Sequence, residues 1–467
     1  MSLLLSDLPT DIIREVTKFL ELPDPISLLR TCSALYTLSI QRSFWISVLE
    51  RTQSKSTISC PQLTDLSQYT LETLKDFAIS WLKLQRNWNR PFPLITQPVT
   101  FTRLSEPAEI IFNVPGTDIL VLNMSGNVLC WDAKLSVPIP FPAIETGRRV
   151  TTVSAPSETR GECSLAFLTT ETTAPFAAHR HVARIKHQSG KAVDFTSFSS
   201  KISPPDASYF QSIFITEGAV GTAVVIDDRD TCVVTVGVVD ASNNSHPDHE
   251  SVVKLPRIIS SKRDMVLCLT YQGHLYNLVE DGLLAQIQHI SRNSLRSARC
   301  EQSGLYCSEI PSAEGSVPFC FMTPSTPFYG VSAVFIRLKW DEDADEDFVL
   351  LTFLPNTLTN APDDGDSSPL GFDLPCVTQS IPGALVSMSL VWTDHSGFNV
   401  TVVVEASDTP RLVLVRYHPE TNGTSVHTLA VPESIDLYNL NTVCVDDTAG
   451  AVHMIDKEGV FSTLRYV

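Results

Sequence analysis

The sequence predicts a multidomain protein in which a short α-helical segment precedes an all-β domain. Between residues 8 and 49, apolar side chains recur at the steps of three and four that define amphipathic helices. From about Val99 onward, short runs rich in Val, Ile, Leu, Thr and Phe alternate with turn residues, which is typical of strands. No stretch with a helical period separates these runs, which argues against a parallel α/β sheet. We expect a helical module at 1–50, a linker and connector helix at 51–94, and a β domain at 95–467.

Two amphipathic helices are predicted near the N-terminus. Pro9 suits the first turn of one helix and Asp11 places negative charge there, whereas Asp24 and Pro25 start the second. A module of about forty residues rarely buries enough apolar surface to fold alone, so the apolar stripes of these helices indicate a partner. The stripes consist of Ile12, Ile13, Val16, Phe19 and Leu20 in the first helix, and Leu28, Leu29, Cys32, Leu35 and Tyr36 in the second.

Five features follow one another in a fixed order along this segment. They are the opening Leu8, Pro9 and Asp11, the pair Ile12-Ile13, the elbow Leu22-Pro23-Asp24, the group Leu28, Leu29 and Cys32, and the closing Phe44-Trp45. In this order and spacing, the segment resembles an F-box. The resemblance covers about a tenth of the chain. One departure is Leu35-Tyr36, where many members of the family have a basic residue and Trp.

The resemblance implies that the segment docks on a Skp-type adaptor, which links F-box proteins to a cullin and its ubiquitin-transfer machinery. By resemblance, six residues would lie at or near this adaptor-binding contact: Leu8, Pro9, Ile12, Ile13, Leu28 and Cys32. The alternative is that all six form the core of a small helical bundle. Periodicity does not decide which of the six face the partner.

A longer helix is predicted from Thr70 to Trp88, after a polar linker at 51–69. Leu84, Asn87 and Trp88, placed before a strand-rich domain, are similar to the connector of F-box proteins that carry WD-repeat propellers, including a mushroom-type fungal group. The alternative is an ordinary amphipathic helix that closes the helical module. In either case a rigid helix would fix the distance between the adaptor and the β domain.

A faint repeat runs through the β domain. Gly126, Gly273 and Gly450 each lie in a turn before a strand, and among these three strands only the first carries a complete Trp-Asp dipeptide, Trp131-Asp132. Each looks like the turn and third strand of a WD-repeat blade, which implies a WD-repeat-like β-propeller. The spacings of 147 and 177 residues, read as three steps of 49 and three of 59, favour seven blades, with six or eight as alternatives.

A propeller must join its last blade to its first. Val99 to Arg103 is expected to supply the closing strand beside Phe461 to Tyr466.

The charge is unevenly distributed along the chain. The net charge is −18, but residues 1–94 have nine acidic and ten basic side chains, so the excess of acid lies in the β domain. Such a domain repels nucleic acid and anionic membranes, and favours neutral or basic protein partners.

The eleven dispersed cysteines fit a reducing compartment. With no signal peptide and no apolar run long enough to span a membrane, the sequence predicts an intracellular protein of the cytoplasm or nucleus that is not secreted.

No residue pattern points to catalysis, a metal or a cofactor. His179, His181 and His187 lie in one run, but no further ligand is evident, so exposed strand histidines are the simpler interpretation. The acidic run from Asp341 to Asp347 has Glu346 where a calcium loop needs glycine. Nucleophile elbows, zinc-protease motifs and phosphate loops are absent from the sequence. The arginine groups that could capture a phosphopeptide are Arg148-Arg149 and Arg180 with Arg184.

These observations lead to a substrate receptor as the main hypothesis. In it, the F-box holds the adaptor, the connector helix sets the geometry and the propeller binds a target protein, which makes the chain a non-catalytic subunit of an SCF-type ubiquitin ligase. One alternative is a scaffold whose F-box holds the adaptor outside any ligase. Another is a propeller hydrolase with a fused helical module.

Overall fold

The structure is a computed structural model of the chain. The residues it describes are 8–17, 19–20, 23–55, 66–114, 117–159, 161–170, 178–188, 191–202, 208–216, 219–226, 231–238, 250–256, 265–281, 284–297, 305–309, 316–317, 322–324, 330–341, 346–360, 362, 364–394 and 397–467.

Short helices form the N-terminal part, as predicted. They are α1 (Thr10–Thr17), α2 (Pro23–Leu29), α3 (Ser33–Tyr36), α4 (Arg42–Lys55) and α5 (Leu71–Trp88), with 3-10 turns at Thr37–Ile40 and Leu66–Gln68. Helix α2 begins at Pro23, so Asp24 lies inside its first turn and does not cap it. Helix α4 continues to Lys55, past the predicted boundary at residue 50.

The predicted connector helix is confirmed as α5. The Thr70 side chain caps it by accepting a hydrogen bond from Thr73 N at 3.2 Å. The buried residues of α5 are mostly apolar; they are Leu74, Ala78, Trp81, Leu82, Leu84, Asn87 and Trp88.

Beyond α5, the described residues form antiparallel sheets of four or five strands each. Sheets 1 to 4 come first along the chain. Sheet 1 contains β2 (Ala108–Asn113), β3 (Ile119–Met124), β4 (Asn127–Asp132), β5 (Val137–Pro138) and β6 (Ile144–Glu145). Sheet 2 contains β7 (Val150–Val153), β8 (Ser157–Thr159), β9 (Glu162–Thr170), β10 (Ala178–Gln188) and β11 (Lys191–Ile202). Sheet 3 contains β12 (Ser208–Thr216), β13 (Ala219–Ile226), β14 (Thr231–Val238) and β15 (Glu250–Pro256). Sheet 4 contains β16 (Met265–Tyr271), β17 (His274–Asp281), β18 (Leu284–Ile290) and β19 (Leu305–Glu309).

Three further sheets complete the described β domain. Sheet 5 contains β20 (Ser316–Val317), β21 (Met322–Pro324), β22 (Val331–Asp341), β23 (Glu346–Pro355) and β26 (Val377–Pro382). Sheet 6 contains β27 (Ala384–Leu385), β28 (Val391–Thr393), β29 (Asn399–Ala406), β30 (Thr409–His418) and β31 (Gly423–Thr428). Sheet 7 contains β32 (Leu440–Asp446), β33 (Ala451–Asp456), β34 (Val460–Arg465) and β1 (Thr100–Arg103). A ribbon of β24 (Thr357–Leu358) and β25 (Leu370–Gly371), the helix α6 (Arg292–Ser297) and 3-10 turns at Met388–Leu390 and Leu437–Asn439 lie between strands.

Apart from β26 in sheet 5 and the closing strand β1 in sheet 7, these sheets are built from antiparallel strands that are consecutive along the chain, which is the arrangement of propeller blades. The prediction of a β-propeller after a helical module is therefore confirmed. Strands β3 and β29 are almost entirely buried because both of their faces pack against neighbouring sheets. Every residue of β3 is buried, as are the first six of β29.

The closing strand is also confirmed. Strand β1 pairs antiparallel with β34, with Thr100 opposite Thr463 and Arg103 opposite Val460. The chain segment before the first sheet therefore supplies the outer strand of the last sheet and ties the two together.

The three repeat glycines do not occupy equivalent places. Gly126 lies between the second and third strands of sheet 1, as predicted, but Gly273 and Gly450 each join the first and second strands of their sheets. All three have positive φ, so the expectation of tight turns holds. The spacings of 147 and 177 residues are therefore not multiples of one repeat, and the count of seven that was derived from them lacks its basis.

The inner strands β2 and β32 define the two faces of the propeller. We call the end at which they begin, near Ala108 and Leu440, the upper face, and the end at which they finish, near Asn113 and Asp446, the lower face. The turn at Gly126 then lies on the upper face and the turn at Gly450 on the lower face.

Gly126 allows two upper-face loops to meet. Its φ is +86°, and a Cβ atom there would lie 2.9 Å from the backbone nitrogen of Arg148. Gly147 in the facing loop also has a positive φ, of +62°, but a Cβ atom there would meet no atom within 4 Å. Both glycines thus adopt a positive φ, but only Gly126 lies so close to the facing backbone that a Cβ atom would clash with it.

We expect Gly126→Ala to destabilise the fold more than Gly147→Ala. The positive φ costs about 1–2 kcal/mol at both positions, and at Gly126 the facing backbone must also move, which adds roughly 1 kcal/mol or more. Urea unfolding of the two variants measures the difference. Equal losses of stability would show that the close approach is unimportant.

Candidate functional site

Large apolar side chains are exposed on the helical module. Ile12 and Val16 lie one turn apart on α1, and Phe19, just after α1, is 84% exposed. Tyr36 and Ile40 are likewise exposed four residues apart, at α3 and the 3-10 turn that follows it. We call these five residues the module surface. Isolated exposed apolar residues are ordinary, but five within one small module are typical of an interaction site.

The structure divides the six predicted adaptor-binding residues. Pro9 and Ile12 are exposed, and Ile12 belongs to the module surface. The other four face the chain's own core to different degrees: Ile13 is buried at 5% exposure, whereas Leu8, Leu28 and Cys32 are partly buried and pack against that core. Periodicity could not separate Ile12 from Ile13 because adjacent helical residues both lie near one broad stripe.

The helical module shares one hydrophobic core with sheets 6 and 7. Buried residues of α4 and α5, such as Leu49 and Leu84, belong to the same cluster as Leu412, Val443 and Leu464. The packing places α5 at the lower face, where a Cβ atom on Gly450 would lie 2.5 Å from Cδ1 of Leu84. The module is therefore held against the propeller and is not a loosely attached arm.

Asn87 makes the polar part of this attachment. Its side-chain nitrogen donates to the carbonyl oxygens of Leu94 and Tyr466, both at 2.7 Å, and its side-chain oxygen accepts from Leu94 N at 3.0 Å. One buried side chain thus ties the end of α5 to the segment that leads into β1 and to Tyr466, just after the last strand of sheet 7.

Trp88 and Arg416 form the adjacent contact. Trp88 is fully buried, and the Arg416 guanidinium lies 6.0 Å from the centre of its ring. Arg416 also donates hydrogen bonds to Asn399 and Asn89. Burial lowers the pKa of Arg416 to about 10, opposed by the nearby carboxylate of Asp394, so the guanidinium stays charged at neutral pH.

The predicted connector pattern is thereby explained. Leu84, Asn87 and Trp88 each contact the propeller or the segment leading to it, which a helix that merely closed its own module would not require.

A cavity of about 350 Å³ opens on the upper face between sheets 1, 2 and 7. Arg149 pairs with Glu109 across it, with Nη2 and Oε1 2.9 Å apart. Asn441 donates to Ala108 O at 2.9 Å. The lining residues are Pro107, Ala108, Glu109, Asn123, Ser125, Gly126, Gly147, Arg148, Arg149 and Asn441.

The sequence indicated only part of this cavity. Arg148-Arg149 was recognised as a candidate pair, whereas Glu109, Asn123 and Asn441 were not. Glu109 and Asn123 face each other in the hairpin of β2 and β3, whereas Asn441 on β32 reaches them only because the ring is closed. The second arginine group lies elsewhere, on β10 of sheet 2.

The strand histidines are not a ligand set. His179 and His181 lie on one face of β10, as expected, with ring centres 6.3 Å apart. His181 is buried, contrary to expectation, because it stacks on Phe167 and forms hydrogen bonds with Thr169 and Ser199. Burial lowers its pKa to about 4, so it is neutral at physiological pH.

Among the described residues, no group of three or more His, Cys, Asp or Glu side chains could hold a metal ion. Most of the acidic run from Asp341 to Asp347, at 342–345, lies outside the described residues. None of the helices that the structure describes combines the length and apolar character of a membrane span.

Comparison with known proteins gives only distant similarities. No family model matches the chain, and no curated protein matches it. Among solved structures, the WD40 domain of SCAP from fission yeast is 10% identical, with 75% of this chain and 82% of that chain covered and a TM-score of 0.36. A chain of the mitotic checkpoint complex is 10% identical, with 79% and 94% covered and a TM-score of 0.37.

A prolyl endopeptidase structure is 11% identical, with 77% of this chain and 47% of that chain covered and a TM-score of 0.35. At such TM-scores the similarities carry no argument about function, and the propeller assignment rests on the sheets described above.

We expect Asn87→Ala to weaken the attachment of α5. The substitution leaves two carbonyl oxygens and one N–H without their partner, a loss of about 2–4 kcal/mol in the free energy of unfolding. Arg86→Ala is the matched control, because Arg86 is exposed on the same helical turn and its loss should cost less than about 0.5 kcal/mol. Thermal and urea unfolding compare the two, and a similar small effect for both would exclude Asn87 as the anchor.

Proposed function

We propose that the chain is the substrate-recognition subunit of an SCF-type ubiquitin ligase. The helical module acts as an F-box that binds a Skp-type adaptor and, through it, a cullin, and the propeller binds a target protein. The chain itself makes and breaks no bond. Its contribution is proximity, because it raises the effective concentration of the target near the ubiquitin-transfer machinery.

The observation that carries this proposal is the module surface. Its five apolar side chains remain exposed although α4 and α5 are packed against the propeller. A module with that much uncovered apolar area fits a partner that covers it. The F-box-like order of residues from Leu8 to Trp45 supplies the class of partner.

The attachment of α5 supports the same role. A receptor that presents a target to a distant enzyme benefits from a fixed geometry between its two binding sites. Asn87, Trp88 and Arg416 hold the connector at the lower face, which leaves the upper-face cavity uncovered by it. A ligase subunit of this kind would act in the cytoplasm or nucleus.

We also propose that each of the seven sheets is one blade of a single ring. Contacts run in cyclic order from the inner strand β2 through β7, β12, β16, β21 and β28 to β32 and back to β2. The alternative of six blades would leave one of these sheets outside the ring.

We expect Ile12→Asp to abolish recovery of the adaptor. Ile12 is 44% exposed on α1, and a charge placed in an apolar interface would weaken binding at least about tenfold. Ile79→Asp is the matched control, because Ile79 is 42% exposed but lies on α5, outside the module surface. Affinity purification of the tagged chain with quantification of Skp-type adaptor and cullin measures the effect.

Three outcomes separate the hypotheses. The ligase-receptor hypothesis is supported if wild type and Ile79→Asp both recover adaptor together with cullin and Ile12→Asp recovers neither. Adaptor recovered without cullin favours the scaffold alternative. Adaptor recovered equally with Ile12→Asp would exclude α1 as the docking element. Ile13 is unsuitable for this test, because it is buried and a charge there would unfold the module.

A further inference from the structure

We propose that the upper-face cavity between sheets 1, 2 and 7 binds an acidic segment of a protein partner, with a carboxylate held by Arg148 and Arg149 and a backbone N–H donated to Asn123. The inference deepens the proposed function by naming the face and the chemistry of target recognition. The cavity itself would exist whether or not the helical module binds an adaptor.

The cationic side of the cavity is formed by consecutive arginines in the loop before β7. Arg149 is 72% exposed and is oriented by Glu109, whose two carboxylate oxygens lie 2.9 Å from Nη2 and 3.3 Å from Nε. This arrangement fixes the plane of the guanidinium while the remaining N–H groups stay available to a ligand. Arg148 lines the same cavity.

Asn123, near the end of β3, requires a hydrogen-bond donor from the ligand. Asn123 lines the cavity and is only 6% exposed, yet its side-chain oxygen is buried and has no hydrogen-bond partner among the described residues. An unpaired buried carbonyl costs about 1–3 kcal/mol, and a ligand that donates an N–H to it would recover that cost. A ligand that fits therefore carries both an anionic group and a donor, as an acidic peptide segment does.

The walls of the cavity are held rigidly. Gly126 O accepts hydrogen bonds from Thr146 N at 2.8 Å, Gly147 N at 2.9 Å and Thr146 Oγ1 at 2.7 Å. Thr146 Oγ1 also lies within 2.9 Å of Arg148 O. The loop that carries the two arginines is thus fixed to the β3–β4 turn, and such preorganised donors bind without a large ordering cost.

The size of the cavity sets the ligand class. A volume of about 350 Å³ lies near the lower end of small-ligand sites and is larger than a single inorganic anion needs. One or two amino-acid residues of an extended segment fit such a volume.

The charge of the cavity differs from that of the whole domain. The β domain is strongly acidic, which led to the expectation of a neutral or basic partner, whereas Arg148 and Arg149 outnumber the single carboxylate of Glu109 here. At physiological salt, charges more than about 8 Å apart are largely screened, so the nearby arginines decide local recognition.

Calorimetric titration of the full chain with the dipeptide acetyl-Glu-Glu-amide tests the proposal. The matched neutral probe is acetyl-Gln-Gln-amide, and inorganic phosphate is the third ligand. We expect the acidic dipeptide to bind, and to bind at least about tenfold more tightly than the neutral dipeptide or phosphate. Three results would overturn the proposal. They are no binding of the acidic dipeptide at millimolar concentration, equally tight binding of the neutral dipeptide, and tighter binding of phosphate than of the acidic dipeptide.

Variants assign the binding to this cavity. Arg148→Gln combined with Arg149→Gln should weaken binding of the acidic dipeptide at least about tenfold. Glu109→Gln should tighten it roughly threefold, because the substitution removes a negative charge next to the bound carboxylate while the Gln amide oxygen can still accept a hydrogen bond from Arg149. Arg103→Gln, an exposed arginine on β1 outside the cavity, is the charge-matched control and should change nothing. If the double variant fails to fold, the exposed Arg149→Gln alone decides the same question.

The Glu109 variant separates a binding role from a structural one. Loss of the ion pair could lower stability in either case, but only a ligand site would gain affinity for an acidic peptide. An unchanged or weaker affinity in Glu109→Gln would contradict the assignment. Ile12→Asp leaves the cavity intact. Loss of adaptor binding in the affinity purification and loss of peptide binding in the calorimetric titration can therefore be distinguished from each other.

Discussion

The pairing of β1 with β34 is the constraint on which the remaining architecture depends. Strand β1 follows the connector helix along the chain and is also the outer strand of the last sheet. The hydrogen bond from Thr96 N to Arg465 O at 2.9 Å extends this pairing toward the helix. Closing the propeller therefore also places α5, because the residues on its C-terminal side are fixed in sheet 7.

The buried contacts at the end of α5 follow from that placement. Asn87 satisfies the carbonyl oxygen of Tyr466, and Trp88 is fully enclosed beside Arg416. The segment that follows α5 thus meets the C-terminal strand at one seam, and the helical module is anchored at the lower face. The module surface belongs to the helical module, which is anchored at the lower face, whereas the cavity opens on the upper face. That separation suits a protein that holds two partners at once.

The sequence predicted the parts that depend on local pattern. The span of α5, the strand that follows the turn at Gly126, and the closing strand at Thr100–Arg103 all follow from periodicity, turn residues or the need to close a ring. It did not predict which side of each stripe faces outward, because Ile12 and Ile13 differ in exposure only through the packing of other helices. Nor could it assemble the cavity, since Asn441 and the two arginines join the hairpin pair Glu109 and Asn123 only once the strands are packed into the closed ring. The spacing of the glycines was not a valid measure of the repeat length. Turns on the upper and lower faces both need a positive φ, so glycines at non-equivalent positions look alike in the sequence.

Hydrogen exchange of the full chain, followed by mass spectrometry, tests the central claim that α5 and the closing seam form one unit. Peptides from Leu71–Trp88 and Val460–Arg465 should exchange with the same opening free energy, because neither element can open without exposing the contacts of Asn87 and Trp88. Rapid exchange throughout α5 while β34 stays protected would contradict the account, since the helix would then be attached to the propeller only through the chain.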